Sequence, residues 1–534
     1  MITRRFLGKA YQPRNGVFCA VIITLLIFGS GKAGPDVNET EIKQEAIKVY
    51  SFLLKELDLS NKLLYKDNIT GRIVWNEQYL MNSLINMYIA TGEYEFLEML
   101  RVHIENILNA RDDVRGIRDV YGRTLPGWSA GGYYTLGVPY AIYSSEGKPV
   151  LSVQGIHRSG NNETALVIKT KEESKFTVEI INNFRNKGYR KLYQDLTAQN
   201  VEMMINENLS PDSYIYVRLL SRAVPKSGTY MLKDTYTRVF AQEHNGIILL
   251  PILRYLYLAQ YCNISKDDVK YSEQIKELLL PSLNLILQGW VREGESGYFV
   301  SEPVPTYWAA GLPVPYNYLS ANGLAFLYAH KVYNNEHYKN VALKLARKVK
   351  SAMEITADGY LRMPYWYGLP YRGWSAPEPQ VVPIYKRGRA FNASEDISHF
   401  MWSLWFISEI HNSGFMGFSE EFKAIAKTFL EKILPRDPEG QSANNMRDWG
   451  VGVFLAHNLQ GSGHAYDYAA AMFALLKSIS PDVYSKVYRI YKIRFSNVTK
   501  VTEKDIDYYS GVIMLGWSIL ARGDKISVDC PSKN

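Results

Sequence analysis

Glu395 and Asp396 lie four and three residues before His399, at the opening of the apolar stretch Phe400-Met401-Trp402. On a helix, those offsets place both acids beside the imidazole. An acid so placed holds a histidine charged, or in one tautomer, for proton transfer. The run Asn392-Ala393-Ser394-Glu395 also fits a capping box, which assigns Glu395 to the helix start and leaves Asp396 with His399 for chemistry. A second cluster, Gln242-Glu243-His244-Asn245-Gly246, opens another apolar helix and adds His244 to the catalytic candidates. A third, Arg111-Asp112-Asp113-Val114-Arg115, is followed by Arg118, Asp119, Arg123 and Trp128. Alternating acids and arginines form either an internal ion-pair network or a forked clamp on a carboxylated or hydroxyl-rich ligand.

Further acids and tyrosines stand at other helix openings: Glu77, Tyr316-Asn317, Tyr466-Asp467 and Asp507-Tyr508-Tyr509. Each serves either as cap and core or as a subsite. Aromatic residues crowd the intervening loops at Tyr307-Trp308, Tyr365-Trp366-Tyr367, Tyr371-Arg372-Gly373-Trp374, Tyr385 and Trp449. Forty tyrosines and ten tryptophans suit sugar rings, which offer apolar faces for stacking and hydroxyls for hydrogen bonds. No phosphate-cradling glycine loop, no metal-type Cys/His spacing and no serine-nucleophile elbow occurs, so no cofactor or metal is expected.

The elements that must position these groups follow a repeating pattern. From Trp75 to Ala110, apolar residues recur at helical spacing, broken at Thr91-Gly92-Glu93. Val74–Ile89 is apolar nearly all round and reads as an inner helix, while Tyr94–Ala110 has a charged face and reads as an outer one. The same pairing recurs at 244–261 with 267–289, 316–333 with 335–353, 395–412 with 419–434, and 464–478 with 480–494. Helices at 41–57 and 507–520 would pair on closure. Twelve helices in six hairpins predict a mainly α, six-hairpin α/α toroid whose inner helices share one polar mouth. Residues 141–235 break the rhythm with β-branched runs and predict an inserted β-sandwich-like subdomain. The toroid then spans 40–140 and 236–524.

With 534 residues and 47% hydrophobic content, the chain can bury a large core. Arg4, Arg5, Lys9 and Arg14 precede the apolar run Val17–Phe28, and Gly31-Lys32-Ala33 offers a cleavage site, so residues 1–33 predict an export signal or an N-terminal anchor. That segment carries five basic residues and no acidic ones, so its removal lowers the formal charge from +8 to +3 (8 − 5 = 3). So small a charge gives nucleic acid no electrostatic purchase. Membrane contact is expected only if the segment stays. Cys262 and Cys530 remain as a possible pair, and sequons begin at Asn38, Asn68, Asn162, Asn208, Asn263, Asn392 and Asn497.

The hairpin Trp75–Ala110, the run from Tyr316 to Gly323 with the helix after it, and Asp358-Gly359-Tyr360 resemble the six-hairpin glycosidase-like superfamily. More loosely, they resemble the C-terminal helical domain of glucuronyl carbon-5 epimerases. The resemblance implies an extracytoplasmic carbohydrate-active protein acting on a polysaccharide or glycan. In a uronate epimerase or lyase, Arg111 or Arg372 would neutralise the sugar carboxylate while Tyr316, Tyr508 or His399 takes the proton. In an inverting hydrolase, Asp396 would work with Asp112 or Glu77 across roughly 6.5–9.5 Å. A non-catalytic glycan-binding or cell-envelope protein is the third reading. Trp128, Asn317, Trp366, Trp374, Trp449, Tyr466 and Asp467 are the further expected sugar contacts, beside Arg111 and Arg372.

Overall fold

The computed structural model describes residues 38–156, 164–172, 174–182, 188–206, 215–232, 237–262, 264–304, 306–307, 309–373, 393–434, 455–462, 466–498, 509–523 and 530. The expected N-terminal segment, Tyr508, Trp374 and Trp449 lie outside them.

Twelve helices carry the architecture of the described residues. They are α1 (Glu39–Glu56), α2 (Gln78–Thr91), α3 (Glu95–Asn109), α4 (Gln242–Tyr261), α5 (Lys266–Leu287) and α6 (Tyr316–Tyr333), followed by α7 (Glu336–Ala352), α8 (Ile397–Asn412), α9 (Ser419–Thr428), α10 (Asp467–Leu476), α11 (Pro481–Phe495) and α12 (Ser510–Arg522). Local chemistry explains their bounds. Asn38 caps α1 by accepting from the Thr40 N–H at 3.1 Å, and Glu39 and Glu41 complement the first-turn dipole. Gly92, at φ +75°, ends α2 in the left-handed conformation that spares glycine a steric penalty. α10 is a 3₁₀ coil and not the α-helix the spacing predicts. Its Ala469-Ala470-Ala471 run tolerates the eclipsed i, i+3 side chains of that tighter winding.

Helices α2, α4, α6, α8, α10 and α12 are buried on nearly every side, polar residues included. Each touches the next, and α12 returns to α2, so the six close a ring. The amphipathic helices lie outside it: α1 on α12, α3 on α2, α5 on α4, α7 on α6 and α11 on α10. This is the six-hairpin α/α toroid, its inner barrel formed by helices with no solvated face.

Between α3 and α4 the chain forms two antiparallel sheets. One runs β1 (Tyr140–Tyr143), β2 (Pro149–Gly155), β6 (Ile215–Leu219), and the other β5 (Tyr189–Leu196), β4 (Lys175–Asn182), β3 (Thr164–Glu172), β7 (Gly228–Met231). Val153 pairs with Val217 in the first and Ile168 with Val178 in the second. Ile142, Val150, Leu166, Ile168, Val178 and Leu196 share one apolar core, so alternating inward residues hold the sheets face to face. A third cluster gathers the interhelical loops, with Ala130, Val239, Tyr307, Leu312 and Trp366 packed together. Cys262, just past α4, is disulfide-bonded to Cys530 with Cα atoms 5.0 Å apart.

Candidate functional site

Segment 393–397 is held from both sides. Tyr365 N–H donates to Ala393 O at 3.0 Å and Glu395 N–H to Met363 O at 2.9 Å, while Ile397 N–H donates to His457 O at 3.0 Å. This stitching sets the two consecutive acids apart. Asp396, not Glu395, is the N-cap of α8, accepting from the Ser398 and His399 N–H groups at 2.9 and 3.0 Å. Its carboxylate also accepts from Ser398 Oγ at 2.6 Å and from His399 Nδ1. Partial burial opposes ionisation, but the His399 contact and the other donors outweigh it and hold the carboxyl at about 2. His399, its side chain 35% exposed, leans on the Tyr365 ring at 5.1 Å.

Glu395 lies one residue before the cap, fully buried, and neither carboxyl oxygen has a partner among the described residues. The helix therefore starts four positions later than the expected capping box, with Asp396 and not Asn392 as its N-cap, and the backbone bond to Met363 turns Glu395 inward before the helix begins. Burial, and then the neighbouring Asp396 charge, push its carboxyl well above the usual range. Tyr316, at the start of α6, is raised by burial and then by the charge of Glu395.

At the start of α4, His244 is fully buried, and burial lowers its imidazole to about 3. Its ring lies 5.7 Å from Trp75, 4.6 Å from Tyr134 and 6.4 Å from Tyr318. Glu243 beside it is also buried and raised; Tyr307 donates a hydrogen bond to it. His244 Nε2, Trp405 Nε1, and both amide atoms of Asn317 and Asn322 have no partner among the described residues. Buried polar atoms are normally satisfied. These atoms lie in the first turn of α4, the first two turns of α6 and the middle of α8, where a hydroxyl-bearing ligand would find partners.

Several expected site residues serve the scaffold instead. Arg111 forms a fork with Asp113 and donates to Leu278 O at 2.6 Å, so its guanidinium is committed to the internal network. Asp112 accepts from Ser129 N–H at 3.0 Å and ties a loop down. Glu77 accepts from His103 Nδ1 at 2.9 Å and Asn106 Nδ2 at 3.0 Å, both on α3, which fastens an inner helix to its outer partner. Trp128 is buried and donates its indole N–H to Ile107 O at 2.7 Å, and Trp366 is buried and donates to Pro313 O at 2.6 Å; both fill core. Asp467 pairs with Arg494 at 2.9 Å and accepts from Leu455 N–H at 3.1 Å. Tyr466 stands before α10 at φ +70°, its ring 5.1 Å from His457. Arg372 is exposed at the end of the short helical turn Gly368–Arg372.

The sequence reading missed the barrel's polar floor. Arg254, fully buried, donates to Asn82 Oδ1 at 2.6 Å and Asn86 Oδ1 at 2.9 Å and sits 5.3 Å over the Trp405 ring. A lone arginine in Ile252-Leu253-Arg254-Tyr255 has no spacing signature. Trp402 stacks on Trp405 at 5.5 Å.

No protein-family model and no curated protein matches this sequence. Among solved structures the chain is similar to an inactive variant of an alpha-1,6-mannanase of Salegentibacter sp. HEL1_6 in complex with alpha-1,6-mannotriose, with 10% identity, 91% of this chain and 99% of that chain covered, and a TM-score of 0.38. It is also similar to a family 76 glycoside hydrolase from a bovine Bacteroides thetaiotaomicron strain, with 9% identity, 67% and 77% covered, and a TM-score of 0.29. At these scores neither likeness carries weight for the chemistry, and the toroid rests on the chain's own closed ring of helix contacts.

Proposed function

We propose that the chain is a carbohydrate-active enzyme that hydrolyses a glycosidic bond, with Glu395 as general acid and Asp396 as the fixed anion. The observation that carries this reading is the opposite shift of two consecutive carboxyls. Glu395 is buried with its carboxyl pushed well above the ordinary range, which favours its protonated form, whereas Asp396 is held ionised by four donors. Carboxyls pushed apart in this way divide the labour of glycoside cleavage. Glu395 gives its proton to the departing glycosidic oxygen. Asp396 stabilises the positive charge that develops at the anomeric carbon, where a water oxygen then bonds and passes its proton to the Glu395 carboxylate, which restores the acid. The unpartnered amides of Asn317 and Asn322 suit sugar hydroxyls.

Uronate epimerisation or elimination is less well supported. It needs a cation on the sugar carboxylate; of the two candidates, Arg111 is already spent on Asp113 and Arg372 lies exposed at the end of the Gly368–Arg372 turn. We place the protein outside the cytoplasm on the basic and apolar residues of its first 33 positions. The test is incubation with a polysaccharide panel that includes alpha-1,6-linked mannan. New reducing ends are expected, without ultraviolet-absorbing unsaturation and without deuterium uptake at carbon 5. Glu395→Gln should lower turnover of natural glycans about 10²-fold or more, yet spare aryl glycosides whose leaving group needs no proton. Equal turnover of both substrate types by Glu395→Gln and wild type would remove Glu395 as the acid.

A further inference from the structure

Asn68 is 2% exposed and lies just before the helical turn that leads into α2. Its Oδ1 accepts from the Val74 N–H at 3.1 Å, so the orientation of its amide is set by the backbone. The Nδ2 group therefore faces His244 Nδ1, at 3.4 Å. An amide nitrogen donates and does not accept, so Nδ1 must be the acceptor. In a neutral imidazole the single ring proton then sits on Nε2. That atom is buried and has no partner among the described residues. The surrounding walls are fixed as well. Trp75 Nε1 donates to Tyr134 Oη at 2.7 Å, and Gly71, at φ +76°, leaves room that a Cβ would lose, since that atom would stand 2.4 Å from the same hydroxyl.

We propose that Asn68 locks His244 as the Nε2–H tautomer, and that His244 is thereby a neutral hydrogen-bond donor to an oxygen of an uncharged sugar unit. This rests on the carbohydrate reading above. It assigns His244 to positioning of the sugar and not to proton abstraction, because a ring whose Nε2 already carries the proton has no free base to offer there. A donor in a box of Trp75, Tyr134 and Tyr318 suits a pyranose, which brings a C–H face to the rings and a hydroxyl or ring oxygen to the N–H.

The tautomer is read directly by nitrogen-15 spectroscopy of protein labelled at its nine histidines, with His244→Gln identifying the signal. A protonated Nε2 and bare Nδ1 are expected, and the reverse assignment overturns the proposal. Asn68→Asp removes the donor that fixes Nδ1 and should move the proton to Nδ1. Calorimetric binding of maltotriose, cellotriose and alpha-1,6-mannotriose provides the second arm. For at least one of them, Asn68→Asp and His244→Leu should each weaken binding tenfold or more. His244→Gln, which keeps an N–H, should retain more affinity than His244→Leu, a difference that loss of packing alone would not produce. Equal affinity in wild type and His244→Leu overturns the donor role and leaves the carbohydrate reading intact. Failure of wild type to bind any of the three overturns both, even with the expected tautomer.

Discussion

Trp402 on α8 donates its indole N–H to Tyr79 Oη on α2 at 3.0 Å, a bond between two helices that stand opposite one another in the six-membered ring. Their rings also meet at 5.6 Å. The barrel is thus braced across its diameter as well as around its circumference. Trp402→Phe should remove the brace and leave a small void, lowering stability by about 1–3 kcal/mol. Chemical denaturation would measure this. An unchanged midpoint would mean that the ring contacts alone hold the helices in place.

Asp396 caps α8 and, in the proposed reading, is the fixed anion, and substitution can separate the two. Asparagine caps helices about as well as aspartate, so Asp396→Asn should keep the cap and fold, giving up only the charge-dependent part of stability, while losing turnover, whereas Asp396→Ala should lose about 1 kcal/mol of cap in addition. Thermal melts and reducing-end assays on the same preparations check both. Asp396→Asn with full turnover would contradict the anionic role.

The same carboxyl predicts an acid limb of stability. Its pKa falls from 3.8 to about 2 on folding, so the unfolded chain binds the proton first as pH drops. The contribution, about 2 kcal/mol, is complete above pH 4 and lost as pH falls through about 2. Asp396→Asn should lack this limb in acid titrations followed by circular dichroism.

His244 acts at higher pH. Burial lowers its pKa from 6.5 to about 3, so between those values only the unfolded state takes up the proton. Stability should therefore decline by about 1.4 kcal/mol per pH unit on acidification below 6.5, until the folded ring titrates near 3. The difference between wild type and His244→Gln between pH 6.5 and 4.5 isolates this slope. Parallel curves would show that the ring is reached by protons in the native state.

Gly246 lets α4 and α6 approach closely. A Cβ there would stand 1.9 Å from Asn322 Oδ1 and 3.3 Å from Asn322 Cα. Gly246→Ala should displace the Asn322 amide, costing about 1–3 kcal/mol and weakening sugar binding. Melting temperature and calorimetry read the two effects separately. Unaltered binding in a stably folded Gly246→Ala would take Asn322 out of the site.

The toroid was legible because its inner helices are apolar where a surface helix would be polar, and that contrast alternates along the chain. The candidate site was legible only as a neighbourhood. Asp396 and His399 were found together because their spacing survives small errors of register. The assignment of Glu395 turned on where the helix starts, four positions after the expected Asn392 cap, set by a backbone bond to Met363 that no local pattern encodes. Arg111 and Glu77 looked available because their partners are either an adjacent acid or residues on the next helix, and composition does not show whether a charge is already spent. Asn68 was read only as a glycosylation signal, since its contact with His244 spans 176 positions.

Closure of the ring bears on how the molecule is made. Asn86 on α2 donates to Ser518 on α12 across 432 residues, and Gly511 N–H reaches Asn76 Oδ1 across 435. During synthesis, the early helices must therefore wait with an apolar flank uncovered until the last segment of the ring emerges. Hairpins that form on their own can accumulate in that interval, but the closed wall cannot. Chains stalled before residue 510 are expected to engage holdase chaperones and to be cut readily by protease, and release of the full chain should abolish both.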